Sequence, residues 1–92
     1  MKNRWDIYIE LNNFETVDEL CKVCEKYKND FDVNAVYGSY MVDARSIVGV
    51  ATLLDKTVRI VPVLDDDVLL NKFYLDIEKI GAYIVEDNKN NI

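Results

Sequence analysis

Trp5-Asp6-Ile7-Tyr8-Ile9-Glu10-Leu11 alternates with period two. Trp5, Ile7, Ile9 and Leu11 then share one face, which predicts a half-buried strand. Asn12-Asn13-Phe14-Glu15 breaks the alternation. Beyond it Val17, Leu20, Cys21, Cys24 and Tyr27 recur at helical spacing, with Lys22, Glu25, Lys26 and Lys28 mostly off that stripe. Thr16-Val17-Asp18-Glu19 fits a capping box, so Thr16 is the expected N-cap, with Glu19 reaching back to it. Asn29-Asp30 is the expected end of this helix.

Phe31 to Tyr37 and Tyr40 to Ala44 read as two further strands. Gly38-Ser39 is a hairpin signal between them, with glycine where a positive φ is needed. Ser46 is placed to cap a short helix over Ile47 to Leu54. Thr57 to Val63 reads as a fourth strand, and Pro62, which lacks an N–H, should interrupt its pairing. Asp65-Asp66-Asp67 suits the positive end of a last helix, whose apolar face is Leu70, Phe73, Tyr74, Ile77 and Ile80. Gly81 fits its stop. Ala82 to Val85 reads as either a short extra strand or a packed tail, and residues 86–92 as a polar, frayed tail. The order β-α-β-β-α-β-α predicts an α+β open-faced sandwich: a four-stranded antiparallel sheet with three helices on one face. A ferredoxin-like arrangement shares much of this order, and periodicity alone does not separate the two.

The 92 residues predict one domain with one core, over residues 1–92. A net charge of −6 leaves no basic stripe to displace counterions, so no nucleic-acid partner is expected. No apolar run reaches the roughly 18 residues of a membrane span, and no signal-peptide pattern precedes Trp5, so a cytoplasmic protein without membrane insertion is expected. Two cysteines are too few for a disulfide framework. Cys21-Lys22-Val23-Cys24 lies in mid-helix on the apolar stripe, away from the helix N-terminus that would acidify a thiol, and reads as core. Zinc would need ligands that a chain with no histidine and no third cysteine does not offer. Asp65 to Asp67 lacks EF-hand spacing and reads as a helix start. No metal site and no cofactor are expected, and the scattered glycines form no phosphate loop.

Asp43-Ala44-Arg45-Ser46-Ile47-Val48-Gly49, continued by Thr52-Leu53, resembles a segment of the HPr family. These are small phosphocarrier proteins of the bacterial sugar phosphotransferase system. The family pattern is a small residue, a basic residue, serine, an aliphatic pair and glycine. The acidic start at Asp65 to Asp67 is similar too, and the element order follows the family across most of the chain. The resemblance implies the HPr-like sandwich rather than the ferredoxin-like one.

The first half departs from that pattern. Aligned without gaps from Ser46, the family's Gly-Leu-His-x-Arg-Pro run falls on Asn13-Phe14-Glu15-Thr16-Val17-Asp18. Glu15 takes the carrier-histidine slot, Val17 the arginine slot and Asp18 the proline slot. The loop after Leu53 is also short and lacks the family's glycine. Phosphohistidine transfer is excluded because the nucleophile is absent, and no enzyme activity is expected. Glu15, Asp18 and Glu19 would repel a phosphate from this helix end, and no arginine remains to hold one.

The resemblance implies two further roles, each beside a plainer one. Ser46 corresponds to the regulatory phosphorylation site of Gram-positive HPr, or is simply a helix cap. Arg45 would sit beside such a phosphate, or is an exposed charge at a strand end. Phe14, Ile47, Val48 and Ala51 correspond to the family's partner-docking patch, or belong to the core. The expectation is a non-phosphocarrier regulatory or docking protein related to the phosphotransferase system, similar in lacking the histidine to catabolite-repression HPr. A protein partner and a serine kinase are implied. The alternative is a small-molecule-binding or structural module on the same scaffold with no link to sugar uptake.

Overall fold

A computed structural model describes residues 5–86, without the side chains of Trp5 and Glu86. Its elements are β1 (Trp5–Glu10), α1 (Phe14–Lys26), β2 (Asp32–Tyr37), β3 (Tyr40–Asp43), α2 (Ile47–Ala51), β4 (Thr57–Val63), α3 (Asp67–Glu78) and β5 (Tyr83–Glu86). All pairings are antiparallel, in the order β3-β2-β4-β1-β5. The architecture is α+β, with an antiparallel sheet and three helices.

The register sorts side chains into two faces. Val42 lies opposite Ala35, Ala35 opposite Ile60, Ile60 opposite Ile7, and Ile7 opposite Ile84. This row crosses all five strands on the inner face. Ile7, Ile9, Val33, Ala35, Val58 and Ile60 are buried there beneath Val17, Leu20 and Cys24 of α1, Val50 of α2, and Phe73 and Ile77 of α3, in one cluster. Each fully buried large side chain contributes roughly 1.5–3 kcal/mol of transfer free energy. The next row, Met41, Val36, Arg59, Tyr8 and Tyr83, lies on the opposite, open face. Period two in the sequence therefore separates the two faces as the alternation predicts.

The sheet has five strands, not the four expected. Tyr83–Glu86 pairs with β1, with Ile7 opposite Ile84 and Trp5 opposite Glu86. The aromatic and β-branched run Tyr83-Ile84-Val85 suits a pleated edge, and it covers backbone groups of β1 that a four-stranded sheet would leave open. Glu86 thus belongs to a strand by its backbone, and the rest of the tail expected over 86–92 lies outside the described residues. The preceding turn is a Schellman pattern. Ala82 N–H donates to the Ile77 carbonyl, Gly81 N–H donates to that of Glu78, and Gly81 has φ 106°. Ile80 consequently lies past the helix rather than in it.

Three other boundaries differ. The N-cap of α1 is Asn13, not Thr16, so the helix starts one turn early at Phe14. α2 ends at Ala51, and 52–56 continue as turns closed by i+3 hydrogen bonds, such as Leu53 N–H to the Val50 carbonyl. Pro62 does not interrupt pairing with β2, where it lies opposite Val33; the register described with β1 ends at Ile60.

Candidate docking surface

Two hydrogen bonds fix the end of the molecule where α1 begins. Leu11 N–H donates to the Lys56 carbonyl at 2.9 Å, and Asp55 N–H donates to the Leu11 carbonyl at 2.7 Å. They tie the chain entering α1, just before Phe14, to the loop leaving α2. The short loop is closed by Asp55 at φ 72°, a left-handed conformation that aspartate tolerates better than most residues other than glycine. This is how the chain turns here without a glycine.

The side chain of Asn13 accepts from the Thr16 N–H at 2.9 Å and from the Thr16 hydroxyl at 3.1 Å. Asn13 therefore satisfies a free donor of the first turn itself. Glu15 is exposed, whereas Val17 is wholly buried. A charged side chain at 17 would have to leave the core.

Ser46 caps α2, and its Oγ accepts from Gly49 N–H at 3.1 Å. Its side chain is exposed. Gly49 is small for a local reason: a Cβ there would stand 3.2 Å from Ser46 Oγ and 3.4 Å from Val42 Cβ. Ile47 and Val48 follow, 37% and 76% exposed, and Phe14 is 56% exposed. Ala51 is half-buried and packs against the core. Leu54, at 38% exposure, joins this apolar surface and was missed by periodicity. Leu53 and Leu54 are adjacent in sequence, and only the turn geometry decides that Leu53 goes in and Leu54 out.

Arg45 does not face Ser46 as a free cation. Its guanidinium meets Asp43 at 3.3 Å and Asp32 at 3.2 Å, and donates to the Lys28 carbonyl. Asp43 accepts from the Arg45 backbone N–H, and that bond, followed by the side-chain bond, holds its carboxyl below the usual carboxylate range. The guanidinium is thus engaged by two carboxylates at this strand end. It is a bracket joining β2, β3 and the end of the α1 loop, one quarter exposed.

The cysteines are both buried and unpaired as thiols. Burial first, then the nearby charges led by Asp18, pushes Cys21 up to about 11; burial, then Cys21, pushes Cys24 up to about 12. Both are protonated at neutral pH, opposite to what a reactive thiol requires. Among the described residues no group of three His, Cys, Asp or Glu side chains is placed to hold a metal ion, and no helix is long and apolar enough to cross a membrane.

At the other end of α1 the Asp76 carboxylate accepts from Tyr27 Oη at 2.6 Å and Lys26 Nζ at 2.7 Å. An open cleft of about 430 Å³ lies there, lined by Lys26, Tyr27, Lys72, Leu75, Asp76 and Lys79. Lys26 and Lys79 stand at the C-terminal ends of α1 and α3, where helix carbonyls favour cations, so their charge is already accounted for. No family model matches the chain, and neither a curated protein nor a solved structure does.

Proposed function

We propose that this chain is an HPr-like domain that docks a protein partner and carries no phosphate, in the cytoplasm of a bacterium and related to the sugar phosphotransferase system. The observation that supports this best is the exposed apolar surface of Phe14, Ile47, Val48 and Leu54, held in place by the Leu11 hydrogen bonds and the Ser46 cap. Apolar side chains exposed this far and gathered at one end mark an interface more often than chance exposure. The first four strands and three helices follow the element order of the resemblance, with β5 appended.

Ser46 is the point of control in this reading. Its hydroxyl is exposed, and a phosphoryl group transferred from ATP to Oγ would add close to two negative charges at the start of α2. Among the described residues Glu15 makes no ion pair with a cation that could hold a transferred phosphoryl, which favours docking over an acyl-phosphate carrier. The α1–α3 cleft supports a small-molecule module less well, because two of its three lysines, Lys26 and Lys79, are matched by Asp76 and by a helix end.

Incubation with an HPr-type serine kinase and ATP, followed by intact-mass measurement, tests the control step. One phosphate is expected on the parent chain and none on Ser46→Ala. An unmodified parent would remove Ser46 regulation. Label retained from phosphoenolpyruvate with the general transferase would remove the non-carrier reading altogether.

A further inference from the structure

Independently of the docking surface, we propose that the outer edge of β1 is a strand-addition site at which β5 of a second copy of this chain replaces the chain's own β5. The chemistry of the occupant is written in β5 itself. It is the uncharged run Tyr83-Ile84-Val85, laid antiparallel with Ile84 opposite Ile7 and Tyr83 opposite Tyr8. In such additions the backbone ladder supplies the attachment and alternate side chains supply the fit.

β5 is lightly held. β1 is its one neighbour in the sheet. The other edge strand, β3, is joined to β2 by a tight hairpin, whereas β5 pairs with the strand most distant in sequence. Its side chains add a stack of Tyr83 on Tyr8, with centroids 6.0 Å apart, and the half-buried Ile84; Tyr83 and Val85 are exposed. The large side chains that are wholly buried all lie between Ile7 and Ile77. β5 can therefore leave while the rest of the sandwich stays closed, which makes it a unit of low local stability. Its departure bares a row of unpaired N–H and C=O groups along β1, a template for another strand.

The turn before β5 decides which copy fills that edge. Gly81 takes φ 106°, and the N–H groups of Gly81 and Ala82 close the turn on the carbonyls of Glu78 and Ile77. A Cβ at 81 would meet nothing within 4 Å, so the turn depends on glycine for its backbone conformation and not for space. Glycine also permits the extended form, in which β5 swings away from its own β1. A second copy then offers an edge of identical register, every β1–β5 contact is regained, and a closed two-fold pair results, with the cost confined to the turn. The short turn keeps β5 near its own edge at an effective concentration of about millimolar, so exchange requires concentrated protein.

The test mixes whole chains bearing Tyr8→Cys with whole chains bearing Tyr83→Cys. These positions are opposite each other, so oxidised glutathione joins them between chains where β5 of one lies on β1 of the other. A chain with both substitutions is the internal reference. A cross-link between positions 8 and 83 of different chains, located by peptide mass, is expected at about 1 mM protein and not at about 10 µM. Gly81→Val strains the closed turn and should lower the concentration required by about tenfold. Ile84→Asp should abolish the interchain cross-link. No such cross-link at the higher concentration, while the reference closes internally, would overturn the proposal, and this arm decides even where Gly81→Val fails to fold. A folded Gly81→Val chain that exchanges no more readily than the parent would overturn it too, as would a cross-link that survives Ile84→Asp.

Discussion

At its C-terminal end α1 closes onto α3, and at its N-terminal end it stays open. The closed end packs Tyr27, Phe31 and Phe73 with ring centroids 5.3 to 5.6 Å apart, and the Asp76 carboxylate satisfies both Tyr27 and Lys26. The open end leaves Phe14 mostly exposed and, among the described residues, Glu15 and Glu19 without an ion pair, with the Asn13 cap on the first turn. One helix thus carries both a clamp and a free surface. Changes at the closed end should register as lost stability, and changes at the open end as lost association.

The sharpest way to break that contrast is Phe73→Ala. Phe73 is wholly buried between the two other rings, and its truncation should cost about 3–5 kcal/mol, read by denaturant unfolding. Asp76→Asn should cost less, about 1–2 kcal/mol, because Lys26 is mostly solvated and screened. This loss also has a pH signature. The bonds from Lys26 and then Tyr27 hold the Asp76 carboxyl below its usual range. Its contribution is therefore complete above the ordinary carboxylate pKa and disappears as pH falls through the lower folded value. The difference between parent and Asp76→Asn should shrink between about pH 5 and pH 2.

At the open end Asn13→Ala should cost about 1 kcal/mol. Thr16→Ala should cost less, since alanine recovers helix propensity there. The reverse order would restore Thr16 as the cap. Val48→Glu and Glu15→Lys should move stability by no more than about 0.5 kcal/mol in the same unfolding assay, while changing partner binding. A large stability loss from either would mean that the exposed surface supports the fold after all.

Strands and hairpin were legible because their signals are local. Alternation marked β1, and Gly38 at φ 61° supplies the turn between β2 and β3 that its position called for. The start of α1 was misplaced because two cap signals overlap. Asn13-x-x-Thr16 and Thr16-x-x-Glu19 sit one turn apart, and Phe14 enters the helix as an exposed residue that no apolar stripe could mark. β5 was left open as strand or tail because its partner is β1, at the far end of the chain. The docking surface was named through resemblance rather than periodicity. Nothing in the identities of Ile47, Val48 and Val50 says that the last alone is buried. The engagement of Arg45 was hidden because Asp32 comes from a different strand.

The place of β1 in the sheet bears on how the protein is made. This first strand lies between β4 and β5, the last two strands in chain order among the described residues. Until residues 57–63 have emerged β1 has neither neighbour, and only the β2–β3 hairpin and the helices made by then can form locally. Non-local closure of this kind slows folding relative to a helical bundle of equal size. It also leaves β1, of the five strands, waiting longest for its partners during synthesis.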